Sequence, residues 1–281
     1  MSEQHFDLVV IGGGPAGYGA ALYGASAGLG VALVEFDKVG GTCLHRGCIP
    51  AKELLETASI VRTVKHAGDF GVEVEGRAVD WSRTLARKKE VIDRLAGGVG
   101  SLLKNRKVTV FDGRGTLGAD RSVRIVGRGG ESTTVTGDAV ILASGSVPRT
   151  IPGFEPDGTV VVTSDEFFEI PQVPLNAVVI GGGAIGCEFA STLADLGSEV
   201  TILEALPKIL PLCDDDVTRV VQQSFKRRGI TVRTGVSVTG HSPGSSGTTV
   251  HLEGGESIET NMVVVSIGRA PYTDGLLDEG A

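Results

Sequence analysis

The stretch "LVVIGGGPAGYGAALYGASAGLGVALVE" (8–35) decides the fold. It opens with a β-branched run, Val9-Val10-Ile11, and passes through Gly12, Gly14 and Gly17 in G-x-G-x-x-G spacing. An Ala-rich helical stretch runs to Gly28, and a second apolar run stops at Glu35. The first Gly permits a tight strand-to-helix turn, the second lets backbone approach a pyrophosphate, and the third lets helix pack closely on strand. The helix N-terminus offers free N–H groups and a positive dipole end to phosphates. An acid at the end of the second strand can accept hydrogen bonds from a ribose 2′-OH.

The same pattern recurs without a gap at a constant offset of 169 residues, as "AVVIGGGAIGCEFASTLADLGSEVTILE" (177–204). Gly181, Gly183, Gly186 and Glu204 repeat Gly12, Gly14, Gly17 and Glu35, and Gly197 repeats Gly28. Two complete copies predict an α/β chain with two Rossmann-like dinucleotide-binding domains. A terminal acid suits a free 2′-OH, whereas a 2′-phosphate would be repelled there and would want Arg. After Glu204 the chain reads "ALPK", so Lys208 is the only nearby base and is expected on a solvated loop. The second site is therefore expected to prefer NAD to NADP.

Outward from the two copies, helices are expected at 48–67, with Pro50 in the first turn, and at 82–105. Strands are expected at 107–111, 123–126, 133–136 and 139–145. The Pro- and Gly-rich stretch 147–158 marks a boundary, and hairpin strands are expected near 231–238, 248–252 and 257–260. This gives domains 1–150 and 151–272, with 273–281 beginning a further region.

A net charge of −8 and a pI near 5.2 argue against a nucleic-acid binder. No apolar run reaches the about 18 residues of a membrane span. "MSEQHFDLVVIGGG" has neither a positive n-region nor a cleavage site, so a cytoplasmic chain is expected. In that compartment close cysteines point to catalysis or metal rather than to a stable structural disulfide.

Such a pair exists in "GGTCLHRGCIPAK" (40–52): Cys43 and Cys48. A zinc site needs three or four ligands. His45 lies between the cysteines, but no second Cys or His cluster is nearby, so no metal is expected. A buried structural pair is the plain alternative. The redox reading explains more, because the pair follows Gly-Gly, precedes a Pro-initiated helix, and comes soon after Glu35. A thiol at a helix N-terminus has its thiolate stabilised. Lys52, one helical turn after Cys48, could hold a negative charge on a flavin or thiolate.

These motifs together resemble the flavin-dependent pyridine nucleotide-disulfide oxidoreductases, and within them most the dihydrolipoamide dehydrogenases. "ILASGSVPRTIPGF" (141–154) and "VVSIGRAPYT" (264–273) carry the resemblance further, over essentially the whole chain. It implies FAD on the first fingerprint, held by Gly12, Gly14, Gly17 and Glu35, with Lys52, Gly115, Ser144 and Gly145 as further contacts. It implies NAD on the second, held by Gly181, Gly183, Gly186 and Glu204, with Val236 and Gly268 completing the pocket. Cys43 would be the interchange thiol that meets the dithiol and Cys48 the flavin-facing, charge-transfer thiol. Glu188 matches an acid that pairs with Lys52. Cys187 and Cys213 match no redox position and read as a buried small residue and a loop residue. The implied partner is the lipoyl-bearing acyltransferase subunit of a 2-oxo acid dehydrogenase complex, and the implied full-length assembly is a homodimer.

The resemblance also implies parts that this chain is expected to lack. These are a later Gly-Asp segment at the FAD site and a C-terminal dimerisation domain with an acid/base His-Glu pair. His251 and Glu256 have a similar spacing but fall in a Gly-Gly hairpin, and are not expected to be that pair. Ala184 stands where many relatives carry an aromatic gate, and Tyr272 where the usual residue is Asn. Two other readings stay open: a reductase of another disulfide, and a non-catalytic flavin- or nucleotide-binding fragment.

Overall fold

The computed structural model describes residues 4–75 and 78–281. The first half runs β1 (Gln4–Ile11), α1 (Pro15–Ser26), β2 (Val31–Glu35), α2 (Gly41–Arg46), α3 (Cys48–Lys65), α4 (Trp81–Asn105), β3 (Thr109–Asp112), β4 (Arg114–Leu117), β5 (Ser122–Val126), β6 (Ser132–Leu142) and β7 (Ser146–Pro148). The second runs β8 (Val161–Val162), α5 (Ser164–Phe167), β9 (Asn176–Ile180), α6 (Ala184–Leu196), β10 (Glu199–Glu204), α7 (Asp215–Arg227), β11 (Thr231–Thr234), β12 (Val238–Gly244), β13 (Gly247–Leu252), β14 (Ser257–Thr260), β15 (Met262–Val265) and β16 (Arg269–Pro271).

The chain divides into two compact units, each discontinuous in sequence. One comprises 1–49, 89–147 and 271–281, the other 50–88 and 148–270.

In the first unit the sheet order is β3-β2-β1-β6-β5-β4. The first four strands are parallel, and β5 and β4 continue antiparallel. The C-terminal half of β1 and all of β2 are buried, which is why both read as unbroken apolar runs rather than alternating ones. α1 buries its small residues Gly17, Ala21 and Gly24. Small residues let the helix lie close to the sheet. The tail of the chain docks in this unit: Leu117 N–H donates to Leu276 C=O at 2.9 Å, and Asp278 N–H to Leu117 C=O at 2.9 Å. Leu276 is buried beside Val9, Ile11 and Val34.

In the second unit the sheet order is β11-β10-β9-β15-β8, all parallel, with a separate antiparallel β12-β13-β14 sheet. Its core holds an aromatic cluster in which Phe189 stacks on Phe167 at 3.9 Å and meets Phe168 edge-on at 5.5 Å. Both units thus place the strand after the fingerprint helix beside the fingerprint strand, with the next strands on either flank, as a doubly wound sheet does.

Two expectations need correction, and one strand was not expected. The strands expected at 133–136 and 139–145 are one, β6, because Gly137 stays in the ladder opposite Phe6. The run 231–238 is not a hairpin arm: β11 pairs parallel with β10, and the hairpin starts at β12. β4, in the Gly-rich "GRGT", had no alternating pattern to betray it.

Candidate functional site

Glu35 ends β2 with its carboxylate turned beneath the glycine turn. Its Oε2 accepts the Gly13 N–H at 2.6 Å and its Oε1 the Asp37 N–H at 2.7 Å. Glu204 does the same in the second unit, accepting from Gly182 at 2.6 Å and Leu206 at 2.8 Å. Every donor and acceptor is displaced by the same 169 residues. Both acids are buried, at 9% and 8% exposure, and each accepts two backbone N–H bonds there. A carboxylate offers about four acceptor positions. Two are used by backbone, which leaves capacity for ribose hydroxyls.

The glycines divide into two kinds. Gly12 and Gly181 have φ of +105° and +107°, and a Cβ there would meet the carbonyls of Ala143 at 2.2 Å and Ser266 at 2.5 Å. A Cβ on Gly17 or Gly186 would lie 1.7 or 2.0 Å from the carbonyl oxygen of Gly12 or Gly181. The chain's own packing demands these four. Gly14 and Gly183 are different: they are the N-caps of α1 and α6, without a side-chain cap. A Cβ on Gly183 would meet nothing within 4 Å, and one on Gly14 only Gly41 Cα at 3.8 Å. What they keep clear is space at an uncapped helix N-terminus, where a pyrophosphate would accept N–H bonds. The residues therefore fit a dinucleotide at each fingerprint.

The cysteine segment is latched to the first fingerprint. Gly40 N–H donates to Gly13 C=O at 2.8 Å, and Gly13 is the residue whose own N–H binds Glu35. Gly41 has φ +57° and approaches Gly14 so closely that a Cβ would lie 2.6 Å from Gly14 Cα. Arg46 Nη2 meets Asp37 Oδ2 at 2.7 Å, and His45 bonds the Val39 carbonyl at 2.9 Å. Cys43 lies in α2, half-buried, and Cys48 opens α3, exposed. Gly47 separates the two helices, and a Cβ there would lie 3.1 Å from Cys43 Cα. The turn is thus as tight as glycine allows.

In the second unit Lys52 Nζ meets Glu188 Oε1 at 2.6 Å. Ten residues on, Arg62 meets the buried Asp195 at 2.6 Å, and Arg228 bonds the same carboxylate at 2.8 Å. Both contacts advance together along α3 and α6, so these helices run parallel. The Asp195 clamp fixes their register and with it the Lys52–Glu188 pair.

The other expected site residues fall as follows. Ser144 and Gly145 follow β6, and Ser144 N would lie 3.1 Å from a Cβ on Gly12. Gly145 has φ +77°, and its carbonyl accepts the Tyr272 N–H at 3.0 Å. Gly115 is buried in β4, where a Cβ would meet Val34 at 3.1 Å and Ile11 at 3.3 Å. Val236 N–H bonds the Glu204 carbonyl at 3.1 Å, and the Gly268 carbonyl accepts from Arg149 at 3.0 Å. Lys208 is not merely solvated: its ammonium bonds Asp215 at 2.6 Å and the Cys213 carbonyl at 3.0 Å, closing its own loop. Cys187 is buried and its Sγ faces the Gly182 carbonyl at 3.4 Å; burial, followed by the nearby Glu204 carboxylate, pushes its thiol up to about 12. His251 is engaged by Ser242 and Ser257, and Glu256 forms a bidentate pair with Arg233.

One cluster escaped the sequence. Phe36 stacks on Tyr272 with centroids 5.9 Å apart, and the Arg114 guanidinium lies 4.9 Å from the Phe36 ring and 5.6 Å from that of Tyr272. The residues are far apart in the chain, and only the neighbourhood of Phe36 to Glu35 offered a signal.

A family described as pyridine nucleotide-disulphide oxidoreductase matches residues 6–281. The dihydrolipoyl dehydrogenase of Chlamydia muridarum (strain MoPn / Nigg) is 40% identical over 277 residues, which cover 98% of this chain and 59% of that protein. A dihydrolipoyl dehydrogenase of Bacillus subtilis (strain 168) is 39% identical over 278 residues, covering 98% and 60%. Among solved structures, LpdA from Mycobacterium tuberculosis superposes with a TM-score of 0.90 at 26% identity, covering 97% of this chain and 60% of that one. The Cu(II) complex of the HOCl-induced flavoprotein disulfide reductase RclA from Escherichia coli gives 0.85 at 29%, covering 100% and 60%. The chain spans about three fifths of the length of these relatives.

Proposed function

The chain belongs to the pyridine nucleotide-disulphide oxidoreductase family, whose cofactors are FAD and NAD, and on that premise we propose that it carries the electron path of a dihydrolipoyl dehydrogenase. The observation that carries this reading is the Gly40–Gly13 bond, which ties the cysteine segment to the nucleotide fingerprint itself.

Gly12, Gly14, Gly17, Glu35, Ser144 and Gly145 would hold FAD, and Gly181, Gly183, Gly186, Glu204, Val236 and Gly268 would hold NAD. Bound there, the two cofactors supply an electron-pair acceptor for the thiols and a final acceptor in NAD+. The chain's own residues do the thiol chemistry. A substrate thiolate attacks Cys43 Sγ, the Cys43–Cys48 bond breaks, and Cys48 leaves as a thiolate. The second substrate thiol then attacks the mixed disulfide, closes the substrate disulfide and frees Cys43. Two electrons and two protons have left the dithiol. Lys52 stands one turn beyond Cys48 on α3, where its charge favours the thiolate, and Glu188 holds that ammonium in place. Glu204 selects NADH over NADPH by repelling a 2′-phosphate, and Lys208, already bonded to Asp215, is not free to compensate.

The proposed dithiol is the lipoyl group of an acyltransferase subunit in a 2-oxo acid dehydrogenase complex, the proposed assembly a homodimer, and the proposed compartment the cytoplasm. The test loads the chain with FAD and follows NADH-driven dye reduction, then NADH-driven lipoamide reduction by the chain and its Cys48→Ser variant. The reading expects NADH to outrun NADPH by roughly tenfold or more and the variant to lose lipoamide reduction. Equal use of NADPH, or undiminished lipoamide reduction in the variant, contradicts it.

A further inference from the structure

We infer that Cys187 and Cys213 are a peroxide-sensitive thiol pair, which closes to a disulfide beside the second fingerprint and holds NADH off it. The thiol chemistry stands by itself; the effect on NADH rests on the second fingerprint being the NAD site.

The internal repeat extends past Glu204. In the first copy Gly40 N–H donates to Gly13 C=O at 2.8 Å. In the second Leu210 N–H donates to Gly182 C=O at 2.7 Å, and Gly182 corresponds to Gly13. Three residues beyond each donor stands a cysteine, Cys43 or Cys213. One extra residue in the second loop moves the offset from 169 to 170, which hides the match in the sequence. Each fingerprint turn thus carries a latched loop with a thiol. The partners differ. Where the first copy has Cys48 the second has Thr218, and Cys187 stands on α6 at the place of Tyr18.

The Gly182 carbonyl brings the two thiols of the second copy together. It accepts the Leu210 N–H and also faces Cys187 Sγ at 3.4 Å. The Leu210 carbonyl in turn accepts the Cys213 N–H at 2.9 Å, and the Lys208 ammonium holds the Cys213 carbonyl at 3.0 Å. Cys213 is near enough that its charge, after burial and the Glu204 carboxylate, helps keep the proton on Cys187. Cys187 is buried, whereas Cys213 is half-buried and follows the fully exposed Leu212, so a small oxidant meets Cys213 first.

The thiolate is the nucleophile of thiol chemistry, and a buried, protonated Cys187 is a poor one. Air therefore leaves the pair open. Peroxide oxidises Cys213 to a sulfenic acid and one water is released. The Cys187 sulfur then attacks the Cys213 sulfur, the S–O bond breaks, and a second water leaves with the Cys187 proton. The two thiols have lost two electrons and two protons, and the peroxide has gained them. The new bond ties the 205–213 loop to the first turn of α6, next to Gly183, whose clear space a pyrophosphate would need.

The test adds hydrogen peroxide in steps to the full chain carrying Cys43→Ser and Cys48→Ser, which leaves Cys187 and Cys213 as its thiols. Thiols are counted after denaturation, the linked peptide is sought by mass spectrometry, and NADH is titrated before and after. Both thiols should disappear together into one linked peptide, NADH should bind roughly tenfold more weakly, and dithiothreitol should restore both. Cys187→Ala in the same background should bind NADH equally well before and after peroxide. A Cys187 thiol that survives beside an oxidised Cys213, or two untouched thiols, overturns the pair. A linked pair that binds NADH as before, or a Cys187→Ala chain that loses NADH binding to peroxide, overturns its effect on the site. A reduced chain that binds no NADH overturns the reading of the second fingerprint, while the thiol count still decides the pair.

Discussion

The backbone N–H of Gly40 lies 2.8 Å from the carbonyl oxygen of Gly13, and Gly41 crosses Gly14 too closely for any side chain. Nucleotide turn and cysteine segment are therefore one structure. Gly41→Ala tests this, because its Cβ would lie 2.6 Å from Gly14 Cα at a φ of +57°. The variant is expected to lose about 2 kcal/mol or more of stability and to release FAD on desalting. Thermal melting and retained flavin absorbance measure the two effects.

The two kinds of glycine predict opposite outcomes in the second unit. Gly186→Ala drives a methyl to 2.0 Å from the Gly181 carbonyl oxygen and should cost about 3 kcal/mol or more. Gly183→Ala meets nothing within 4 Å and should change stability by under about 1 kcal/mol. It should nonetheless weaken NADH binding roughly tenfold or more, because the methyl occupies the approach to the helix N–H groups. Melting curves and NADH titrations on both variants separate packing from binding. Equal destabilisation by the two would refute the distinction.

The Lys52–Glu188 pair is too exposed, at 59% and 34% of the side chains, to hold much of the fold together. Glu188→Gln should therefore alter stability by under about 1 kcal/mol. Its effect belongs to the chemistry: with the ammonium less firmly held, lipoamide reduction by the FAD-loaded chain should fall by roughly tenfold. NADH-driven lipoamide reduction by wild type and variant, beside their melting curves, separates the two effects.

Cys187 gives a pH prediction. Its thiol ionises at about 12 in the fold against 9.0 for an ordinary thiol, chiefly because burial disfavours the thiolate. Below pH 9 it is neutral whether folded or unfolded, and stability is whole. As pH rises from 9 toward 12 the unfolded chain loses the proton first, so stability falls. Cys187→Ala should flatten that alkaline limb in denaturant titrations, and native Cys187 should resist iodoacetamide at pH 8.

Much of this was legible in the sequence because the fingerprint is local: its strand, glycine turn, helix and acid lie within one βαβ unit, and their spacing is their geometry. The repeat even carried the hydrogen bonds of Glu35 over to Glu204. The Lys52–Glu188 contact was legible only through resemblance, since no spacing links residues 136 apart. What escaped depends on where distant strands end. β6 looked broken at Gly137 because a lone glycine reads as punctuation, although it keeps its place opposite Phe6. Phe36, Arg114 and Tyr272 come from three segments and become neighbours only once the sheet is ordered and the tail docks on β4.

The central claim is that Cys43 and Cys48 form a disulfide that exchanges electrons with a pyridine nucleotide through the first site. Counting thiols tests it most directly. The FAD-loaded, air-oxidised chain is denatured and titrated with a thiol reagent before and after anaerobic treatment with NADH, beside a Cys43→Ser/Cys48→Ser variant. Of the four cysteines, two should react before NADH and all four after it, while the variant should show two throughout. Four reactive thiols before NADH, or no gain after it, would contradict the account.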